Sequence, residues 1–263
     1  MVKLEKQQHI AFVTFTREEK QNALNFIMFK QLASVIKQIK KDSSIRAVII
    51  QGEGANFCAG LDVAAVMKNP MNIISLLFKW LPGNCNLAQQ VVLGWQSLSI
   101  PVFAVIQGNC FGGGLQIALG ADYRIVHEDA KLAIMEARWG LCPDMGANVV
   151  LPSLMQKDKA QWLASHASAI DAKTAKQLGL ITQVSNEPLK ACLAMIDTLM
   201  TRSPDTLAAI KRVTQQSYAT PRRKILAKET FSQIRLLLNK NTKKAIARAK
   251  GDESIEYSDP KRW

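Results

Sequence analysis

The architecture of this chain is decided by the stretch PVFAVIQGNCFGGGLQIALGAD, which spans residues 101–122 of 263. Its apolar run Val102–Ile106 is typical of a buried β-strand, and residues 115–119 are compatible with a helix. A triple glycine at 112–114 separates the two. The order of strand, bare backbone turn and helix predicts an α/β fold with a turn where a ligand can approach the main chain closely.

The glycine turn also offers free hydrogen-bond donors. The first amides of a helix have no partners within it and lie at the positive end of the helix dipole. Such a turn is suited to an oxygen that develops negative charge during a reaction. A second loop of small residues, at 56–62, enters another helical stretch and offers a further set of free amides. We therefore expect the two loops to converge on a single oxygen.

Two carboxylates, Glu136 and Asp144, follow the glycine turn in a stretch that is otherwise mostly apolar. Carboxylates in such surroundings are typical of general acid and base catalysis. Together with the donor loops, they indicate proton chemistry beside a polarised oxygen. Either feature alone is also compatible with a tight turn or a solvated acid, so the prediction depends on their combination.

Length and composition favour a folded protein with a large core, built as one α/β domain or as one domain with a helical appendage. The formal net charge is +13 at pH 7, and residues 202–263 contain fifteen Lys or Arg against six Asp or Glu. We interpret most of this excess as a solvated helical surface. The basic tail lacks the interleaved aromatic residues typical of nucleic-acid binding, so a phosphorylated small ligand is at least as plausible a polyanion, and we expect no nucleic-acid partner.

The cysteines and histidines are dispersed along the chain. The five cysteines form no close Cys-x-x-Cys pair, which indicates a reducing compartment and no structural metal. The three histidines form neither a zinc set nor a serine triad. The sequence shows no signal peptide and no uncharged stretch of membrane-spanning length. We therefore expect a cytoplasmic protein with no metal and no membrane insertion.

Periodicity predicts an α/β front half and a helical back half. Further strands are predicted at residues 10–16, 47–51, 123–126, 132–135 and 181–184. Helices are predicted at residues 27–40, 89–98, 147–154, 159–164, 172–178, 189–201, 204–217 and 222–250. Residues 69–84 have the least regular pattern of the first half, so we expect a lid or a pocket wall there.

Five segments resemble, in the same order, the motifs of the crotonase family, whose members are also called enoyl-CoA hydratases and isomerases. The segments are KQNALN at 20–25, FCAGLD at 57–62, and residues 101–122, 136–144 and 171–181. The resemblance covers essentially the whole chain. It implies a crotonase-like ββα superhelix that binds acyl-CoA at residues 1–200, followed at 201–263 by a C-terminal helical region for oligomerisation into a homotrimer or homohexamer.

The resemblance also implies an acyl-CoA thioester as substrate, with coenzyme A as part of that substrate and no separate cofactor. The backbone amides of Leu61 and Gly113 match the pair that, in the family, donates hydrogen bonds to the thioester oxygen and stabilises an enolate. The matching segments place a larger set of residues at the substrate or its CoA moiety, namely Lys20, Gln21, Ala23, Ala59, Leu61, Asp62, Gly112, Gly113 and Gln116.

The acids decide the reaction. Hydratases of the family hold water between two glutamates, one matching Glu136 and the other lying two residues after the glycine triplet, where this chain has Gln116. An amide has no basic nitrogen lone pair and cannot serve as a general base. Asp144 matches an aspartate that dienoyl-CoA isomerases of the family carry, although those isomerases commonly have an aspartate at position 116 also.

Our hypothesis from the sequence is therefore an acyl-CoA double-bond isomerase. The amides of Leu61 and Gly113 form the oxyanion hole, and Glu136 and Asp144 share the proton transfers, with the base and the acid left unassigned. We expect burial to raise the pKa of at least one of these carboxyls. Two alternatives stay open: an enoyl-CoA hydratase in which Glu136 or Asp144 replaces the missing glutamate, and a non-catalytic acyl-CoA-binding protein.

Overall fold

The computed structural model describes residues 1–81, 83–217, 230–231, 233–236, 238–249 and 251–259. Within them, the strands are β1 Val2–Gln7, β2 Ile10–Phe15, β3 Ala47–Gly52, β4 Val102–Ile106, β5 Asn109–Phe111, β6 Tyr123–Val126, β7 Lys131–Ala133, β8 Ile170–Asp171 and β9 Gln183–Val184. They form a six-stranded sheet in the order β1-β2-β3-β4-β6-β9 and a three-stranded sheet in the order β5-β7-β8.

The helices surround these two sheets. They are α1 Phe26–Lys41, α2 Val63–Met67, α3 Pro70–Leu77, α4 Leu87–Gln96, α5 Gly113–Leu119, α6 Ala147–Leu154, α7 Lys157–His166, α8 Ala172–Gln177, α9 Pro188–Met200, α10 Pro204–Ser217 and α11 Lys240–Ala249. Two short 3₁₀ helices span Glu18–Lys20 and Glu136–Trp139. Among the described residues, no helix is both long and apolar enough to cross a membrane.

The main sheet is parallel from β2 onwards, and only β1 runs antiparallel to its neighbour β2. In the small sheet β5 pairs parallel with β7, and β7 pairs antiparallel with β8. Parallel pairing needs crossover connections, which here contain helices. The α/β fold class predicted from the sequence is therefore confirmed.

The central strand β4 is buried on both faces. Val102, Ala104 and Ile106 belong to the large core between the sheet and helices such as α1 and α4. Phe103 and Val105 alternate with them and face a smaller core against α9. Side chains alternate between the faces of a strand, so a strand covered on both sides is apolar throughout. This explains why residues 102–106 form an unbroken apolar run.

The predicted strands and helices up to residue 217 match observed elements to within two residues at each end. The structure adds β1, β5 and β8, which were not predicted, and residues 69–84 contain the helix α3. This helix begins after Asn69, whose side chain accepts a hydrogen bond from the Met71 amide. An asparagine cap of this kind stabilises a helix start that periodicity alone does not reveal.

The helix predicted at 222–250 is correct for most of its described residues, but its prediction as a single helix is wrong; residues 222–229, 232, 237 and 250 lie outside the described residues. Residues 230–231 and 233–236 are helical, but a turn at Leu238 and Asn239 precedes α11. The Asn239 side chain accepts a hydrogen bond from the Asn241 amide at 2.9 Å. Asparagine favours helix starts because its side chain bonds to the backbone in this way. The division of the chain at residue 200 stays a prediction.

Candidate active site

The glycine turn predicted to hold an oxygen lies between β5 and α5. Gly112 caps α5 with φ 47° and ψ −120°, a conformation that side chains rarely adopt. The helix begins at Gly113, whose N–H has no hydrogen-bond acceptor among the described residues. The turn therefore presents an unpaired donor at the positive end of a short, buried helix.

The loop at 56–62 approaches this turn closely. A Cβ atom built on Gly112 would lie 4.0 Å from the Cα of Gly60, and one built on Gly60 would lie 3.0 Å from the Phe111 carbonyl oxygen. Phe111 in turn donates its N–H to the Cys58 carbonyl at 2.9 Å. The structure thus brings together the two loops that the sequence predicted to converge.

Leu61 is held so that its own amide remains unpaired. The Leu24 amide donates to the Gly60 carbonyl at 2.7 Å, and the Asp62 amide donates to the Leu24 carbonyl at 2.9 Å. In a parallel bridge of this kind the N–H of the central residue, Leu61, points away from its partner Leu24. Within the part of the chain that the structure describes, this N–H has no acceptor.

The segment at 20–25, which is expected to contact the CoA moiety, lies beside the loop at 56–62. Lys20 and Gln21 are exposed, and Ala23 and Ala59 are half-buried. The Ala59 amide donates to the Gln21 carbonyl at 2.9 Å, so the two predicted CoA-contacting segments lie side by side. Their contact with CoA stays a prediction.

Asp62, predicted to contact the substrate, has structural partners in the protein. Its side chain accepts the Ala65 amide at 3.0 Å and caps α2. Its other carboxylate oxygen lies 2.8 Å from one terminal guanidinium nitrogen of Arg17. The other terminal nitrogen of Arg17 donates to the Ala23 carbonyl at 2.8 Å. The hydrogen bond from Ala65 and then Arg17 lower the pKa of Asp62. Asp62 therefore helps to hold the loops together.

Sequence reasoning missed two residues that organise this region, Arg17 and Asn22. Asn22 is fully buried, accepts the Arg17 amide at 2.9 Å, and donates to the carbonyls of Glu53 and Asn56 at 2.9 and 2.8 Å. Its φ of 57° lies in the left-handed region, where asparagine is more frequent than most residues. The asparagine within the motif at 20–25 was the available signal.

Gln116 connects the two acid-bearing segments. It is fully buried on α5, and its Nε2 donates to Oε1 of Glu136 at 2.6 Å. Its Oε1 accepts the amides of Met145 and Ala147 at 3.1 and 3.3 Å. These partners fix the orientation of the amide, since nitrogen faces a carboxylate and oxygen faces two N–H groups.

Glu136 lies against the glycine turn. A Cβ built on Gly112 would lie 3.7 Å from its Oε1. The other oxygen, Oε2, is buried and has no hydrogen-bond partner within the described residues. A buried carboxylate oxygen without a partner is costly in a folded protein and is characteristic of a reactive site.

Both candidate acids have a raised pKa. For Glu136 the main cause is desolvation by burial, to which the charge of Asp144 adds, while hydrogen bonds from the backbone and from Gln116 oppose it. Asp144 is exposed as a whole residue, but nearby protein atoms desolvate its carboxyl enough to raise its pKa. The expectation that burial raises the pKa of at least one carboxyl is confirmed.

A cleft of about 340 Å³ is lined by residues of the main sheet such as Thr14, Gln51 and Val105, and neither candidate acid borders it. In the described residues, no group of three or more His, Cys, Asp or Glu side chains is arranged to hold a metal ion.

Comparison with known proteins shows the family of this chain. Residues 5–254 match the family model described as enoyl-CoA hydratase/isomerase. The chain belongs to the enoyl-CoA hydratase/isomerase family. A crystal structure of an enoyl-CoA hydratase from Thermoplasma volcanium is 28% identical, with a TM-score of 0.84 over 94% of this chain and 96% of that one. The crotonase-like fold expected from the resemblance is therefore confirmed.

Relatives within the enoyl-CoA hydratase/isomerase family are named for different reactions. The enoyl-CoA hydratase EchA19 of Mycobacterium tuberculosis is 28% identical over 91% of this chain and 90% of its own length. A mitochondrial Δ(3,5)-Δ(2,4)-dienoyl-CoA isomerase of Mus musculus is 29% identical over 75% of this chain and 63% of its own length. Similarity at this level does not separate the two reactions, so the site residues must.

Proposed function

We propose that this protein is an acyl-CoA double-bond isomerase, which moves protons on an enoyl- or dienoyl-CoA thioester through a stabilised enolate. The observation that supports this choice over hydration is the bonding of Gln116. Its Oε1 already accepts two amides, from Met145 and Ala147, and its Nε2 has no basic lone pair. Gln116 thus has no acceptor left with which to hold or activate a water molecule.

The contact between Gln116 and Glu136 also leaves no space for water between them. Their terminal atoms are 2.6 Å apart, which is a direct hydrogen bond. A hydratase of this family holds its water between two glutamates, according to the resemblance described above. Here one of those positions is an amide in direct contact with the other, so the arrangement favours proton transfer without added water.

In the proposed mechanism, the thioester oxygen accepts hydrogen bonds from the amides of Leu61 and Gly113. Removal of a proton from the adjacent carbon places negative charge on that oxygen, and the two donors stabilise the resulting enolate. One such donor contributes about 3 kcal/mol to transition-state stabilisation in enzymes. The two N–H groups fit this role because they have no acceptor elsewhere in the described residues.

Glu136 and Asp144 carry the proton transfers in this proposal. One carboxylate takes a proton from the carbon next to the thioester, and the other carboxyl returns one farther along the double-bond system. Their raised pKa values suit this work because a carboxyl with a higher pKa is a stronger base and remains protonated closer to neutral pH. Oε2 of Glu136 is a free buried acceptor for such a proton.

The test is a pair of assays on the purified protein. With a 3,5-dienoyl-CoA we expect the conjugated dienoyl absorbance to appear, and Glu136→Gln or Asp144→Asn to reduce its rate by roughly a hundredfold or more. Asp197→Asn, an exposed acid on α9, is the control and should keep the rate. Hydration of a 2-enoyl-CoA without isomerisation contradicts the proposal, as does binding of both thioesters without turnover.

We further propose assembly into a homotrimer or homohexamer, with residues 201–263 as the oligomerisation region. Large apolar side chains on the surface of this region support a buried interface, since Ile210, Phe231 and Leu238 are 57%, 60% and 80% exposed. Light scattering in solution tests this, and a monomer contradicts it.

We also propose a cytoplasmic location, which the five free cysteines support, and no cofactor other than the CoA of the substrate.

A further inference from the structure

We infer that Gln116 is a positioning residue that holds Glu136 and the backbone beside Asp144 in one arrangement, and thereby selects proton transfer over hydration. The inference rests on the proposed function, because it assigns a role within that same site. Gln116 makes four hydrogen bonds through three of its atoms, one from its backbone amide to the glycine turn and three from its side chain to the acid-bearing segments.

The first contact ties Gln116 to the oxyanion turn. Its backbone amide donates to the Gly112 carbonyl at 3.0 Å. Gln116 therefore lies one helical turn after Gly113, on the same short helix whose first amide is the proposed oxyanion donor. Any shift of this helix moves the donor and the Gln116 side chain together.

The second contact fixes Glu136. Because Nε2 of Gln116 donates to Oε1 at 2.6 Å, Oε2 is the carboxylate oxygen of Glu136 that has no partner within the described residues. A hydrogen bond to a carboxylate favours its charged form, and here it opposes the desolvation that raises the pKa of Glu136. Gln116 therefore both orients the carboxylate and keeps it ionised at lower pH.

The third contact holds the segment that carries Asp144. Oε1 of Gln116 accepts the amide of Met145, the residue directly after Asp144, and the amide of Ala147, the first residue of α6. Gly146, which precedes this helix, provides no side-chain cap. Gln116 therefore satisfies an amide that helix starts otherwise leave unpaired, and it does so across 31 residues of chain.

A purely structural crosslink would stabilise the fold without affecting the titration of the site. Gln215 provides the matched control. Its Nε2 donates to Oδ1 of Asp122 at 3.0 Å, and neither residue belongs to the proposed catalytic site. Gln116→Met and Gln215→Met each remove one amide-to-carboxylate hydrogen bond and keep an unbranched side chain of similar length.

We expect Gln116→Met to lower kcat for the dienoyl-CoA roughly tenfold to a hundredfold, with a smaller change in KM, because misplaced catalytic groups cost rate more than affinity. The acidic limb of the pH profile, over which Glu136 becomes ionised, should move to higher pH because the hydrogen bond from Gln116 lowers the pKa of Glu136. Gln215→Met should leave kcat and the pH profile unchanged. Wild-type kcat and pH profile in Gln116→Met overturn the inference.

Gln116→Glu is the second variant and carries the test if Gln116→Met does not fold. It places a carboxylate at hydrogen-bond distance from Glu136, where two like charges share a proton. It also supplies the missing acceptor for water. We expect isomerisation to fall and hydration of a 2-enoyl-CoA to rise at least about tenfold above wild type. An unchanged ratio of the two activities contradicts the inference.

A readout other than turnover separates this inference from the proposed function. Carbon-13 NMR of glutamate carboxyls, with Glu136→Gln used to assign the signal, follows the titration of Glu136 directly. We expect the Glu136 signal to titrate at higher pH in Gln116→Met than in wild type. If wild type fails to isomerise any enoyl- or dienoyl-CoA, the proposed function is wrong, while this titration still decides whether Gln116 controls Glu136.

Discussion

The ammonium nitrogen of Lys211 on α10 lies 2.6 Å from a carboxylate oxygen of Asp122, the residue that precedes β6. The same nitrogen donates to the Ile100 carbonyl at 2.8 Å, and the same carboxylate oxygen accepts the Val102 amide at 2.8 Å. Lys211 and Asp122 have side chains that are only 9% and 16% exposed. A nearly buried ion pair thus attaches the C-terminal helices to the start of the central strand β4.

We predict that Lys211→Ala lowers the free energy of unfolding by about 3–5 kcal/mol. Removing one partner of a buried ion pair leaves the other charge without compensation, which is the main part of this cost. Urea denaturation at neutral pH measures it. The control is Lys190→Ala. Lys190 pairs with Glu187 on the surface, where the two side chains are 76% and 67% exposed. That change should cost about 1 kcal/mol or less. Equal losses in the two variants contradict the prediction.

The turn at Gly112 is expected to tolerate no side chain. With φ at 47°, an alanine there is strained even though its Cβ would lie at an ordinary van der Waals distance, 3.7 Å, from Oε1 of Glu136. We predict that Gly112→Ala lowers kcat roughly a hundredfold and the free energy of unfolding by about 1–3 kcal/mol. Steady-state kinetics and urea denaturation measure the two effects.

Gly251 is the matched control for the strain at Gly112. It also has a positive φ, 107°, and a Cβ built on it meets nothing within 4 Å. Gly251→Ala should therefore lower stability without changing kcat. A normal kcat in Gly112→Ala would show that the turn is not part of the site.

Arg17 holds the two segments expected to contact CoA. Its guanidinium bonds the Ala23 carbonyl on one side and Asp62 on the other, both at 2.8 Å. We predict that Arg17→Met raises KM for an acyl-CoA roughly tenfold and changes kcat less. The substitution removes bonds within the segments expected to bind CoA, whereas Arg17 does not bond Glu136 or Asp144. Calorimetric titration with a CoA thioester checks the affinity. Lys3→Met, in an exposed pair with Glu5, is the control and should bind normally.

The sequence predicts elements best where burial imposes a long pattern. The bounds of α6 and α10 follow from helical periodicity, and those of β4 from an unbroken apolar run. The strands β5 and β8 span three and two residues, which is too short for any period to show. Asn239 interrupts a basic amphipathic pattern through a local side-chain bond, which a periodicity argument does not detect.

The candidate site shows the same division. Glu136, Asp144 and the glycine turn could be predicted because carboxylates are acids and bases and glycine turns expose backbone amides. The roles of Gln116 and Arg17 depend on partners 20 to 45 residues away in the chain, which only folding brings near. The sequence identified Gln116 as a departure from the hydratase pattern, but its two accepted amides and its contact with Glu136 are three-dimensional facts.

The pKa of Glu136 makes a final prediction about stability. Burial raises this pKa in the folded protein, so between the ordinary carboxyl value and the raised one the folded state binds more protons than the unfolded state. The charged carboxylate is therefore destabilising at neutral pH, and this penalty is relieved as pH falls through the raised pKa.

Glu136→Gln removes the charge and can still bond Gln116 through its carbonyl oxygen. We expect this variant to be more stable than wild type near pH 8 and to lose that advantage near pH 4, below the ordinary carboxyl value of 4.5, while its isomerase activity is greatly reduced. Urea denaturation at the two pH values measures the difference, with Asp197→Asn as the exposed control. An equal effect of Glu136→Gln at both pH values would mean that the carboxyl is not desolvated, and that its use as a strong base lacks a physical cause.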